Sequence, residues 1–318
     1  MENKTKHIPV LLQETIGNLE LKSGDCFIDA TLGGGGHFFA LLTNLKGNGS
    51  AIGIDEDKRA IIRVKEKLIN EGFKVMSTED KKNILSKNGI KITLLNENFI
   101  NLDKEKKLIN ENPIKVIIAD LGLSTDQIED EKLGFSYQND YADLDMRLNT
   151  DTQVKAKDLL NGLYKKELEK MFFELGDISF TKILVREILK TREKTPFQTV
   201  GQLKNIIQRI VPFYSRRGTN RHPEAKVFQA IRIAVNQELH NLQCFLPLAF
   251  ETLASGGRIG VISFHSGEDR IVKNYFRDLV EKDDAKYIND ERYYIAKQEE
   301  LFTNKKSHSA KLRIVTKN

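Results

Sequence analysis

Asp29-Ala-Thr-Leu-Gly33-Gly-Gly-Gly36-His37 follows the apolar run Cys26-Phe27-Ile28 and precedes Phe38-Phe39-Ala40-Leu41-Leu42. This order reads as a strand, a tight glycine turn and a helix start. Successive glycines from Gly33 through Gly35 to Gly36 let the backbone pass a ligand with no Cβ in the way. The helix that follows offers backbone N–H groups to a negatively charged group. The pattern calls for a nucleotide-like cofactor.

A second apolar run, Ser50-Ala-Ile-Gly-Ile-Asp55, ends in a carboxylate about 20 residues after the glycines, where an acid can grip both hydroxyls of a ribose. NAD and S-adenosylmethionine both satisfy that spacing. The dinucleotide fingerprint also wants a third glycine three residues past the second, and Phe38 or Phe39 stands there. Asp29, just before the turn, would repel a pyrophosphate but could hold the ammonium of a methionine moiety. S-adenosylmethionine is therefore the expected cofactor. A plain glycine-rich turn is the bland alternative, and Asp29 and Asp55 together outweigh it.

The chain has 318 residues, enough for one large domain or two ordinary ones. The N-terminus carries no apolar leader and no stretch approaches the ~20 apolar residues of a membrane span, so a cytoplasmic protein off the membrane is expected. Cys26 and Cys244 are the two cysteines, each beside apolar residues, which reads as two buried reduced thiols. The histidines show no metal-ligand spacing, so no metal is expected. Net charge is +5, much of it in mixed-sign runs typical of solvated helix faces. One segment departs from that balance. Between Arg209 and Lys226 lie five cations (with Arg216, Arg217 and Arg221), one acid and two aromatics in a glycine-proline context, a composition suited to phosphate contacts and base stacking.

Strand and helix patterns alternate through the first third: strands at 26–31, 51–55, 91–97 and 116–120, and an amphipathic helix at 57–70. Alternation of this kind implies a parallel, doubly wound α/β sheet, with ligands beyond the carboxyl ends of its strands. Asp29, Asp55, Asn98-Phe99 and Asp120 all stand at such ends. After Asp120 the rhythm stops, and residues 126–220 carry helical periodicities, for instance at 165–175 and 181–191, without a central strand. The expectation is a discontinuous α/β domain, 1–125 and 221–318, interrupted by an inserted helical domain, 126–220. The resumed part should contain a long helix from Glu224, a new helix started by Pro247, a strand at 259–264, a helix from about Gly267 and a last strand at 312–315. Residues 71–89 read as an extended connection.

Several blocks are specific in combination: His7-Ile-Pro-Val-Leu-Leu, Asp29 to His37, Asp120-Leu-Gly-Leu-Ser124, Gly134-Phe-Ser, Leu144-Asp-Met-Arg147, His222-Pro-Glu-Ala-Lys-Val-Phe-Gln-Ala-Ile-Arg-Ile and Gly256-Gly-Arg-Ile-Gly-Val-Ile-Ser-Phe-His-Ser-Gly-Glu-Asp-Arg. In this order they resemble the RsmH (MraW) family almost end to end. The resemblance implies a Rossmann-like class I methyltransferase sheet and S-adenosylmethionine-dependent methylation of N4 of a decoding-centre (P-site) cytidine in 16S rRNA, the partner being the small ribosomal subunit. It implies cofactor contacts from Gly35, Gly36, His37, Asp55, Phe99, Asp120 and Gln127, with Phe99 against the adenine, and a substrate-recognition role for the helical insertion. Leu133 and Gly267 depart from the family's usual arginine and leucine. The resemblance leaves oligomeric state open, a homodimer included.

The amine of cytosine is a poor nucleophile, because its lone pair is delocalised into the ring. Acceptors on its hydrogens and alignment with the methyl donor are what an enzyme can supply. Asp120 and the backbone carbonyls of Leu121-Gly122 are the acceptor candidates, and Phe135 and Tyr137 are candidates to stack on an extruded base. Methylation at C5 would need a cysteine nucleophile in a suitable setting, which neither cysteine has. Rival readings are a methyltransferase of the same fold acting on DNA or a small molecule, and a non-catalytic RNA-binding assembly factor. Salt-sensitive binding would favour a nucleic acid, and retention of Asp29, Asp55 and Asp120 argues for catalysis.

Overall fold

The structure is a computed structural model that describes residues 9–105, 113–124, 127–128, 133–210 and 223–318. The chain forms two compact units, Met1–Leu123 with Leu239–Asn318, and Ser124–Glu238.

The first unit is built on a sheet of nine strands: β1 Cys26–Asp29, β2 Gly49–Ile54, β3 Lys74–Thr78, β4 Lys82–Lys87, β5 Ile90–Leu95, β6 Ile114–Asp120, β7 Leu253–Ser263, β8 Ala285–Tyr287 and β9 Lys311–Lys317, in the order β3-β4-β5-β2-β1-β6-β7-β9-β8. The five central strands β5-β2-β1-β6-β7 are parallel, as the alternation requires. The flanks are antiparallel, so the sheet is mixed. Residues 71–89, read as an extended connection, hold the β3–β4 hairpin and the turn into β5. Asn88 and Gly89, with φ of 47° and 86°, close that turn, where the two left-handed residues match the twist of the strands.

The period-two alternation of β1 distributes side chains to both faces of the sheet. Phe27 joins one apolar cluster with Phe38, Val116 and Ile118, and Ile28 joins another with Ile117, Phe245 and Phe276. Burial on both faces explains why these strands read as continuous apolar runs. Helix α1, Leu12–Leu19, packs on α2, Gly36–Asn44. Helix α3, Lys58–Asn70, starts at Asp57, whose carboxylate accepts from the Arg59 N–H at 2.9 Å.

The second unit contains α4 Ala156–Gly162, α5 Lys165–Gly176, α6 Thr181–Arg192, α7 Val200–Ile210 and α8 Pro223–Asn236. Phe172, Leu184, Phe197, Leu203 and Val227 are fully buried in it. Helix α8 was expected with the α/β part. It packs instead on α4, α5 and α7, driven by the buried face of Val227, Phe228 and Ile231, and the second boundary therefore moves from 221 to 239. The chain breaks at Gln237, which adopts a left-handed φ of 51°.

Pro247 does not start a helix. It sits inside α9, Glu238–Thr252, because the buried residues Leu242, Phe245, Leu246, Ala249 and Phe250 lie on both sides of it and hold one continuous apolar face in the core. Cys244 also departs from expectation: it is exposed on the opposite face of α9, whereas Cys26 is buried in β1. Among the described residues no helix is long and apolar enough to cross a membrane. The unit ends with helix α10, Ser266–Glu281, capped by the His265 ring, which accepts from the Gly267 N–H, and with β9.

Candidate active site

The glycine turn is tied to both neighbouring strands. Ala30 N–H donates to the Ile118 carbonyl of β6 and Leu32 N–H to the Ile54 carbonyl of β2, each at 2.9 Å. Gly33 and Gly35 then take φ of 47° and 78°, a region that side chains resist. A Cβ on Gly35 would lie 2.8 Å from the Phe39 ring, whereas one on Gly34 would meet nothing within 4 Å. Helix α2 begins at Gly36 with no side chain capping its N-terminus. Its first N–H groups are thus available to an anion.

Asp55, just past β2, accepts from Gly33 N–H at 2.7 Å through Oδ2 and from Asp57 N–H at 2.8 Å through Oδ1. Burial pushes its carboxyl up to about 6, against the lowering effect of those two N–H groups. Each oxygen keeps a lone pair for a further donor. Asn96, after β5, donates to the carbonyls of Asp55 and Glu56 and fixes the end of β2. Phe99 follows, half-buried, with its ring centroid 4.7 Å from that of Phe245, so one side is packed as an apolar plug would be.

Asp29 and Asp120 end the paired strands β1 and β6, and both act electrostatically on His37. Asp29 is buried and accepts from Thr31 N–H at 3.1 Å. Burial raises its carboxyl to about 7, although the nearby His37 charge and the Thr31 N–H pull the other way. The Thr31 hydroxyl accepts from Asp120 N–H at 2.6 Å. His37 is buried, its Nε2 3.0 Å from the Val10 carbonyl and its Nδ1 3.4 Å from Oδ2 of Asp120. Burial alone would lower its affinity for a proton. The hydrogen bond and charge of Asp120, the charge of Asp29 and the Val10 carbonyl outweigh this, and the net shift is upward. Among the described residues, Oδ1 of Asp120 is buried with no hydrogen-bond partner, an acceptor that none of them supplies with a donor. Gly122, two residues on, has φ of 91° and leaves this strand end without a side chain.

The structure thus brings Asp29, Gly33, Gly35, Gly36, His37, Asp55, Phe99 and Asp120 into the first unit, the charged ones at the carboxyl edge of its central strands. Gln127 belongs to the second unit, where it is buried and its Oε1 accepts from Ser124 N–H at 2.9 Å. Tyr137, half-buried, sets its ring edge on Phe228 at 6.0 Å. Phe135 is buried, which favours core packing over base stacking. Lys226 Nζ lies 3.5 Å from the Asp177 carbonyl. Arg216, Arg217 and Arg221 lie outside the described residues. Sequence reasoning missed Thr31, Asn96 and the Val10 carbonyl. Thr31 stands inside the quoted stretch and Asn96 is a polar residue at a strand end, so both left a signal, whereas a backbone carbonyl leaves none.

The model of the MraW methylase family matches residues 4–318. The ribosomal RNA small subunit methyltransferase H of Lactobacillus acidophilus is 39% identical over 329 residues, spanning 99% of this chain and 99% of its own. The protein of the same name from Carboxydothermus hydrogenoformans is 36% identical over 325 residues, 98% of this chain and 97% of its own. Among solved structures, a Streptococcus mutans protein in complex with SAH aligns with a TM-score of 0.46 at 13% identity, over 98% of this chain and 100% of that one. An rRNA methylase from Streptococcus thermophilus aligns with a TM-score of 0.45 at 12% identity, over 98% and 99%. With the family model and relatives above 30% identity matching nearly end to end, the chain belongs to the MraW methylase family.

Proposed function

We propose that the protein transfers a methyl group from S-adenosylmethionine to the exocyclic N4 of a decoding-centre (P-site) cytidine in 16S rRNA of the small ribosomal subunit. The observation that carries this reading is the trio of carboxylates Asp29, Asp55 and Asp120 at the ends of adjacent parallel strands around an open glycine turn, with an unpaired acceptor oxygen on Asp120. The names of the full-length relatives supply the rRNA substrate, and the family they belong to supplies the reaction class.

The residues present fit the cofactor. Asp29, costly to ionise while buried alone, becomes a favourable carboxylate opposite an ammonium. The uncapped start of α2 at Gly36 suits the cofactor's carboxylate, Asp55 its ribose hydroxyls, and the unpacked side of Phe99 its adenine. S-adenosylmethionine supplies, when bound, an electrophilic methyl on a sulfonium. Asp120, with the carbonyls of Leu121 and Gly122, accepts the amino hydrogens of the target base, which raises electron density on nitrogen and orients its lone pair. The nitrogen is strongly acidic once methylated, so its proton leaves without a tuned base.

Cysteine placement favours N4 over ring C5. Cys26 opens β1 at the end opposite the carboxylates, and burial pushes its thiol pKa up, away from the thiolate that attack would need. We further assign rRNA recognition to the helical unit, with Tyr137 stacking and Arg216, Arg217, Arg221 and Lys226 on phosphates. The deciding experiment is transfer of labelled methyl to small subunits lacking the modification, with the product nucleoside identified by mass spectrometry. N4-methylcytidine is expected, also from a Cys26→Ser, Cys244→Ala protein, and Asp120→Asn should be about 10²–10³ slower at saturating cofactor. Formation of 5-methylcytidine, a trapped adduct to either cysteine, or preference for duplex DNA overturns the reading.

A further inference from the structure

Each ring nitrogen of His37 faces an oxygen that can only accept, unless Asp120 itself holds a proton. Nε2 lies 3.0 Å from the Val10 carbonyl and Nδ1 lies 3.4 Å from Oδ2 of Asp120. A neutral imidazole carries one N–H and can satisfy only one of them. An ionised Asp120 would then turn an acceptor toward a bare Nδ1 lone pair, with its other oxygen already buried and, among the described residues, unpaired. Two adjoining unpaired acceptors in a buried site are costly, and a second ring proton removes one deficit while neutralising the carboxylate's charge. Among the described residues, the largest charge effects on the ring come from Asp120 and Asp29, both acids, and Asp29 is in turn acted on by Asp55.

We propose that His37 works as an imidazolium, donating Nε2–H to the Val10 carbonyl and Nδ1–H to Oδ2 of Asp120, and thereby positions the carboxylate that accepts the target amine's hydrogen. The role rests on the function proposed above and deepens it. His37 touches neither reacting atom; it is a positioning residue acting through Asp120. The upward shift of its proton affinity agrees with this arrangement. Because the protein itself supplies Asp29 and His37 from the first strand and turn and Asp120 from the end of β6, with Thr31 hydrogen-bonded to both acids, the state of the ring is set before any ligand enters.

Nitrogen-15 NMR of histidine-labelled protein without cofactor reads both ring nitrogens directly. At pH 6.5 both His37 nitrogens should be protonated, with a titration midpoint above that of an ordinary histidine. Asp120→Asn should lower the midpoint by about one pH unit or more, the effect of removing an opposite charge at this range. In turnover, kcat at saturating cofactor should fall as pH rises through the His37 midpoint, and His37→Gln, slower throughout, should lose that fall. A neutral ring at pH 6.5, or a midpoint that Asp120→Asn leaves unmoved, overturns the proposal. These readouts do not depend on which nucleoside is methylated, whereas product analysis tests the function alone; if either variant fails to fold, the wild-type spectrum still decides.

Discussion

Asp55 illustrates how a single carboxylate can serve both the fold and a ligand. It already holds Gly33 and Asp57 through backbone N–H groups, which is why it can be rigid before a ribose arrives. Asp55→Ala should weaken S-adenosylmethionine binding by about 1.5–3 kcal/mol, measured by calorimetry, the range for hydrogen bonds to a charged group. Unchanged affinity in a folded variant would remove Asp55 from the site. Asp29 makes a different prediction. Its carboxyl, raised by burial to about 7 from an ordinary 3.8, binds a proton more tightly in the folded chain than in the unfolded one. The free protein therefore carries no penalty below about pH 4 and loses stability as pH rises toward 7. Asp29→Asn should match wild type near pH 4, become the more stable protein by pH 8 in thermal unfolding, and bind cofactor more weakly. A stability difference that shrinks with rising pH would refute this account. Asp29, Asp55 and Asp120 were legible in the sequence because each follows an apolar strand run. Their partners were not, because Thr31 and Asp120 are 89 residues apart and Val10 and His37 are 27 apart.

Between strand and helix, the turn at Gly35 shows how an element boundary carries function. Gly35→Ala should cost about 1–2 kcal/mol for the left-handed backbone alone, before the contact with Phe39 is counted. Gly34→Ala, whose Cβ meets open space, should leave folding unchanged in the same unfolding assay, and it serves as the control. Equal losses in both would mean that the turn's backbone is not the constraint. The central strands other than β7, with α3, α5 and α6, follow from periodicity within a few residues of their ends, whereas β7 starts at Leu253 rather than at the expected 259. The β3–β4–β5 meander was missed although Asn88-Gly89, between β4 and β5, is a strong hairpin signal, because the polar, exposed β3 lacks the apolar alternation that marks a strand. Pro247 misled for the opposite reason: a strong local breaker was overridden by the buried face that runs through α9.

For the molecule as a whole, the net charge of +5 is modest, so binding to rRNA has to come from where the cations sit rather than from their number. Neutralising Arg216 and Arg217 should lower RNA affinity and flatten its log–log salt dependence by about one to two units, with cofactor affinity unchanged. An unaltered slope would move the RNA path elsewhere, for which Lys305, Lys306 and Lys311 are the next candidates. The parallel core of the sheet, the glycine turn and the strand-end acids are written in local pattern, because period and residue type act over a few positions. The membership of α8 in the helical unit, the exposure of Cys244 and the two acceptors that enclose His37 are not written there. They depend on which faces meet after the chain has closed over long separations, and packing of that kind is settled only when the apolar faces compete for the same cores.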